Sequence, residues 1–107
     1  MQTFTDFWPF YLREHSRLLT RRLHFAGTSL SLLAALLALP LHLPWLFGVA
    51  LVQGYAWAWV GHFFVEHNRP ATFQHPLWSF AADFKMLGCF VTGTLPAELQ
   101  RAGVAAG

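Results

Sequence analysis

Two long apolar runs without a charged residue constrain this chain more than anything else in it. The first spans His24 to Leu39, the second Trp45 to Val65, and Pro40 and Pro44 bracket a short turn between them. Because a bilayer core takes ~20 apolar residues as helix, the economical fold is a transmembrane helical hairpin over 23–39 and 45–66. Composition points the same way, with 55% hydrophobic and 11% charged residues against ~25% charged in soluble domains. The fold class expected is therefore an all-α integral membrane protein, one membrane-embedded helical domain over 1–107.

The flanks read as interfacial or partly embedded helices. Thr5 or Asp6 would cap an N-terminal one over about 7–19, leaving Pro9 in its first turn. Phe4, Trp8, Tyr11 or Leu12, and His15 then share a face suited to the headgroup region. Pro76 opens a C-terminal helix over 76–92, which Gly93 closes; Asp83 and Lys85 in its middle argue against a full span. The stretch 96–107 reads as a flexible tail. Arg13, Arg17, Arg21 and Arg22 cluster beside the first apolar run, which marks a topology signal or contact with anionic membrane lipid rather than a nucleic-acid site. By the positive-inside rule they place both termini on the cytoplasmic side, in a bacterial inner membrane or the endoplasmic reticulum. A single cysteine, Cys89, excludes an internal disulfide.

Stepping by four along the second run gives Ala50, Gly54, Ala58, His62 and Glu66, one helical ridge of small residues ending in an imidazole and a carboxylate. On the first run His24, Thr28, Ser31, Ala35 and Ala38 form a matching face. Such faces suit close packing in lipid, within one chain or between chains of a homo-oligomer. With a turn near His42, His24 lies about eighteen residues before it and His62 about twenty after, so at ~1.5 Å per residue both return to one depth. His15 and Glu66 belong at that same level, and His42 at the far end.

Three histidines and a carboxylate converging at one depth suit iron, zinc, copper or manganese, and two histidines with one carboxylate is the set used by non-haem Fe(II) oxygenases. Ionisable groups at membrane depth are functional by default. His62 and Glu66, at i and i+4, can serve one ion from one helix. Asp83 could brace a histidine. His67 turns away from Glu66 and His75 lies in a connection, so both read as surface residues. Arg21, Arg22 and Arg69 could bind an acidic headgroup or a carboxylate substrate.

The ordered pattern Phe10-Tyr11-x-x-x-His15, then His24-Phe25-x-Gly27, then Gly61-His62-x-x-x-Glu66-x-Asn68-x-Pro70-Ala71 resembles the small membrane-protein family of the fungal endoplasmic-reticulum dioxygenase of phytosphingosine catabolism. The resemblance runs from about Phe7 to Gly93. It implies an Fe(II)-dependent α-oxidation in which a long-chain 2-hydroxy fatty acid reacts with O2 and becomes an acid one carbon shorter. It makes His15, His24 and His62 the iron ligands, with Glu66 a fourth ligand or base, so that His62 and Glu66 are the catalytic pair. Asn68 and Arg69 would shape or charge the entrance of the site and, with Arg22 by its charge, serve substrate binding; the acyl tail would lie among Trp57, Phe63, Phe64, Trp78 and Phe80. Two other classes fit the same residues: a b-type haem electron carrier ligated by His24 and His62, and a non-catalytic membrane scaffold.

Overall fold

A computed structural model describes residues 1–104. Within them the chain forms five α-helices: α1 (Phe4–Arg13), α2 (Leu18–Ala38), α3 (Leu46–Val60), α4 (Pro76–Thr92) and α5 (Leu95–Arg101). A π-helical segment, Gly61–Glu66, continues α3, and a 3-10 turn, Ala71–Phe73, precedes α4. The described residues contain no strand, so the all-α class holds.

The hairpin forms by close approach of α2 and α3. A Cβ added at Gly27 would lie 2.8 Å from the Trp57 Cβ and 3.0 Å from the Gly54 carbonyl oxygen, and one added at Gly54 would strike the Ser31 hydroxyl. Gln53 sews the seam from its side-chain amide, donating to the Gly27 carbonyl at 2.9 Å and to the Ser31 hydroxyl at 2.6 Å. Ser31 in turn donates to the Ala50 carbonyl. The two small-residue faces read from the sequence meet at Ser31, Ala50 and Gly54, while Gly27, Gln53 and Trp57, which neither face included, complete the seam.

Among the described residues no helix is long and apolar enough to cross a membrane. The expected pair of spans at 23–39 and 45–66 is therefore present as a packed hairpin without the length of a span. Arg21, Arg22 and His24 occupy the start of α2, so its apolar part, Phe25–Ala38, rises only ~21 Å, and the 15 residues of α3 rise ~22 Å, against a hydrocarbon core of ~30 Å.

A second packing unit corrects the flanks. Thr3, not Thr5 or Asp6, caps α1, accepting from the Asp6 N–H at 3.2 Å. Pro9 falls inside the helix rather than in its first turn. Instead of facing lipid headgroups, Phe7, Trp8, Tyr11 and Leu12 are buried with Ala82 and Met86 of α4. Lys85 lies over the Trp8 ring, 4.4 Å from its centroid, and Trp8 donates from its indole nitrogen to Glu98 at 3.3 Å. The expected tail is also folded as far as it is described: α5 plants Leu95 and Leu99 in this core, and Ala102 follows them. Residues 105–107 of that expected tail lie outside the described residues. Only α4 keeps its expected bounds, with Pro76 opening it and Gly93 closing it in the left-handed conformation at φ 79°.

Candidate metal centre

The histidine cluster forms where the two packing units meet. α1 stops at Arg13, and the chain reverses through His15 and Ser16 before α2 begins. Two side chains pin this reversal. Arg21, buried on α2, donates to the carbonyls of His15 at 2.8 Å and Ser16 at 3.0 Å. Glu66, from the end of the π-helical segment, accepts from the Arg17 N–H at 2.6 Å, the Ser16 hydroxyl at 2.6 Å and the Thr20 hydroxyl at 2.7 Å. Helix α2 has no cap from its own N-cap side chain, so Glu66 supplies one from across the hairpin and sets a carboxylate at the positive end of the helix. Gly61 permits this contact, since a Cβ there would crowd the Thr20 methyl at 3.1 Å.

His15, His24 and His62 are all buried. Their ligating atoms lie within 4.8 Å of one another. The Nε2 atoms of His15 and His62 are 3.0 Å apart. Their outer nitrogens fix both tautomers. His15 Nδ1 lies 2.7 Å from the Tyr11 carbonyl, which can only accept, so Nδ1 carries the proton. His62 Nδ1 lies 2.8 Å from Asn68 Oδ1. The Asn68 amide cannot be turned round, because its NH2 donates to the Glu14 carbonyl at 3.1 Å and carboxylate at 2.9 Å. Nδ1 of His62 is therefore also the protonated nitrogen. Two lone pairs thus face each other with no proton between them.

A cation resolves that repulsion. Two imidazole nitrogens each ~2.1 Å from one ion and at right angles to each other would be ~3 Å apart, which matches the pair. A proton is the poorer choice: burial, reinforced by the neighbouring His24 and His62, holds the His15 imidazole well below its usual pKa. The third ring, His24, has its Nε2 3.2 Å from Asp83 Oδ1, which also accepts from the Tyr11 hydroxyl at 2.7 Å. Burial first, then Asp83, pushes the Tyr11 phenol well above its ordinary range, so it stays a donor. Carbonyl and amide bracing of the outer nitrogens of His15 and His62 is the usual support of metal-bound histidine, and with His24 held by Asp83 the three buried imidazoles form a donor set that fits a metal ion.

The other sequence candidates fall elsewhere. Glu66 is committed to the α1–α2 reversal and is not one of the three grouped residues. Asn68 braces His62 rather than lining an entrance. Arg69 lies over the Phe73 ring, 5.2 Å from its centroid. Arg22, exposed, joins Arg21 on the rim of a cavity of about 370 Å³ between α2 and α5. His67 takes a left-handed conformation at φ 60° that ends the π-helical segment. His75 packs against Phe7 and Trp78, and His42 sits in the hairpin turn. Of the aromatic residues expected around an acyl tail, Trp57 serves the α2–α3 crossing and Trp78 the aromatic core; Phe63 and Phe64 are exposed. A haem between His24 and His62 is sterically opposed, because the His15 ring stands 4.9 Å from one and 4.5 Å from the other, where a macrocycle would have to lie.

Sequence reasoning did not find the Glu14–Asn68–His62 chain or the role of Tyr11. The signal for Tyr11 was its i−4 spacing from His15.

Fold and site together define a small all-α protein that gathers three braced, buried imidazoles around one point. The chain belongs to the Mpo1-like family, described as 2-hydroxy-palmitic acid dioxygenase Mpo1-like, whose model matches residues 1–95. That span runs from α1 to the first residue of α5 and holds every residue of the cluster. No curated protein matches the chain. No solved structure matches it.

Proposed function

We propose that the protein is an Fe(II)-dependent dioxygenase that shortens long-chain 2-hydroxy fatty acids by one carbon at a membrane interface. The observation that carries this reading is the pair of opposed, unprotonated Nε2 atoms of His15 and His62 with His24 beside them. Family membership adds the dioxygenase class and the 2-hydroxy fatty acid. The reaction balances without another reductant: loss of the carboxyl carbon as CO2 and conversion of C2 to a carboxyl group release four electrons, which O2 accepts to give one water. Fe(II) bound to the three histidines would supply the open positions at which O2 and the 2-hydroxy acid meet.

The chain's own groups do the rest. Tyr11 and Asn68 hold the His15 and His62 rings with Nε2 inward. Tyr11, through its hydroxyl, also keeps Asp83 beside His24. Glu66 and Arg21 lock the reversal that carries His15, so we assign Glu66 a positioning role rather than that of base. Arg22 and Arg69 offer positive charge to an acid arriving from the membrane. The hairpin exposes many apolar side chains, with Leu36, Leu39 and Val52 each 72% exposed. Exposed apolar area of this kind suits contact with a membrane or a partner surface, and the basic residues at the start of α2 favour the membrane. We place the hairpin tip in the hydrocarbon and the histidines at the cytoplasmic interface, where the basic residues favour that side.

The test is elemental analysis of protein purified anaerobically without chelator, with an assay of 2-hydroxypalmitate against O2. About one iron per chain, with activity lost in His62→Ala, is expected. Protein that remains folded, binds no transition metal and converts nothing would leave the scaffold reading in its place.

A further inference from the structure

Hollow space between the hairpin and α4 begins at Asp83, the carboxylate that holds His24. Between α2, α3 and α4 lie two cavities, one of about 40 Å³ reached from Thr28, Tyr55 and Asp83, the other of about 270 Å³ reaching Ser31, Ala35 and Phe47. They share three walls, Leu51, Phe80 and Phe84. Adjoining at those walls, the two line up as a path that starts at Asp83, itself 3.2 Å from His24, and runs down the hairpin away from the cluster.

We propose that this groove holds the acyl chain of the substrate and that its far end, at Ala35 and Phe47, sets the chain length accepted. The inference rests on reading the protein as a 2-hydroxy fatty acid dioxygenase and says where that substrate lies. Polarity along the groove matches the amphiphile. Its charged residue, Asp83, stands at the histidine end, where the carboxylate can accept from the 2-hydroxyl. The far end is walled by carbon, because the Ser31 hydroxyl is already spent on the Ala50 carbonyl and the Gln53 amide. Phe80 and Phe84 are part-exposed aromatic residues on α4; an acyl chain in the slot would cover them.

Length agrees as well. From His24 to Ala35 the α2 axis advances ~16 Å. An extended chain advances ~1.2 Å per bond, so roughly 13 bonds fit over that distance. A palmitoyl-sized tail would fill the groove, whereas an octanoyl-sized tail would stop near Leu51.

Ala35→Phe in the full-length protein tests this, with Ala35→Leu as a milder obstruction should the first fail to fold. Rates are compared for 2-hydroxypalmitate and 2-hydroxyoctanoate. Each methylene denied its apolar contact is worth about fourfold. The variant should therefore lose about tenfold or more in kcat/KM for the long acid and stay within about twofold for the short one. Equal losses for both acids, or none for either, in a folded variant would overturn the groove. If the wild type converts neither acid, the dioxygenase reading falls, and displacement of cis-parinaric acid by palmitate then judges the groove by itself. Weaker binding in Ala35→Phe supports it, and unchanged binding overturns it.

Discussion

Asn68→Ala probes the centre without touching a ligand. In the native chain the Asn68 oxygen holds the His62 proton on Nδ1, and the Glu14 carbonyl and carboxylate hold the amide in that orientation. Removing the amide frees the ring to take its other tautomer. Nε2–H of His62 can then donate to His15 Nε2 across the existing 3.0 Å. The metal-free cluster loses its lone-pair conflict, and a metal must now displace a hydrogen bond. Loss of such a bracing partner costs about 10–100-fold in metal affinity, equivalent to about 1.4–2.7 kcal/mol. Competition titration against a chromophoric chelator, with Co(II) or anaerobic Fe(II), reads the affinity directly. Metal-free stability, followed in parallel by thermal melts, should fall by only about 1–2 kcal/mol, because the new hydrogen bond between His62 and His15, with relief of the lone-pair repulsion, offsets part of the three bonds that Asn68 makes to His62 and Glu14, each worth about 1 kcal/mol. Affinity within about twofold of wild type would refute the tautomer reasoning. So would a collapse in metal-free stability large enough to explain the affinity loss.

Three further outcomes follow from the packing and the charges. Gly27→Ala should destabilise by about 1–3 kcal/mol through overpacking, as its Cβ would lie 2.8 Å from Trp57, while Gly48→Ala, with nothing within 4 Å, should not; equal denaturation midpoints would contradict the seam. Leu99→Ala should cost about 2–5 kcal/mol, since Leu99 is 2% exposed in the core; an unchanged melting temperature would return α5 to the status of a tail. Because the folded His15 is held below its usual pKa, its contribution is intact above the unfolded value of ~6.5 and is lost as pH falls below it. The metal-free protein should then melt at progressively lower temperature as pH falls from about 6.5 to 5; because burial lowers His62 as well, His15→Gln should flatten that slope in part, and an unchanged slope would refute the assignment to His15.

Much of the site was legible because helical geometry is regular. Equal path lengths on either side of the turn put His24 and His62 at one depth, and the structure brings their rings to 6.4 Å. The position of His15 at the end of the N-terminal helix put it at the same level, and the resemblance of motifs made it a ligand. Glu66 was misjudged for a geometric reason: i,i+4 spacing puts two groups on one face only in a regular α-helix, and Gly61–Glu66 is π-helical, which rotates Glu66 toward the start of α2. The flanking helices were misjudged because an aromatic stripe has the same period whether it meets headgroups or another helix. Only long-range partners, here Ala82, Met86 and Leu99, decide between these, and a single sequence does not display them. The span lengths failed for a different reason: the first charge-free run, His24 to Leu39, falls short of the ~20 residues of a span, and the second is divided where α3 gives way to the π-helical segment at Gly61.

The π-helical turn at 61–66 carries a consequence of another kind. A π turn holds one more residue than the α turn it replaces, so the direction in which Glu66 leaves the helix is written in the number of residues between Ala58 and His67 as much as in their identities. Deleting one residue there would leave every named ligand in place and still dismantle the site, because Glu66 would swing away and free the loop that carries His15. For this chain, length over six positions is itself a functional character, one that a comparison of side chains alone would pass over.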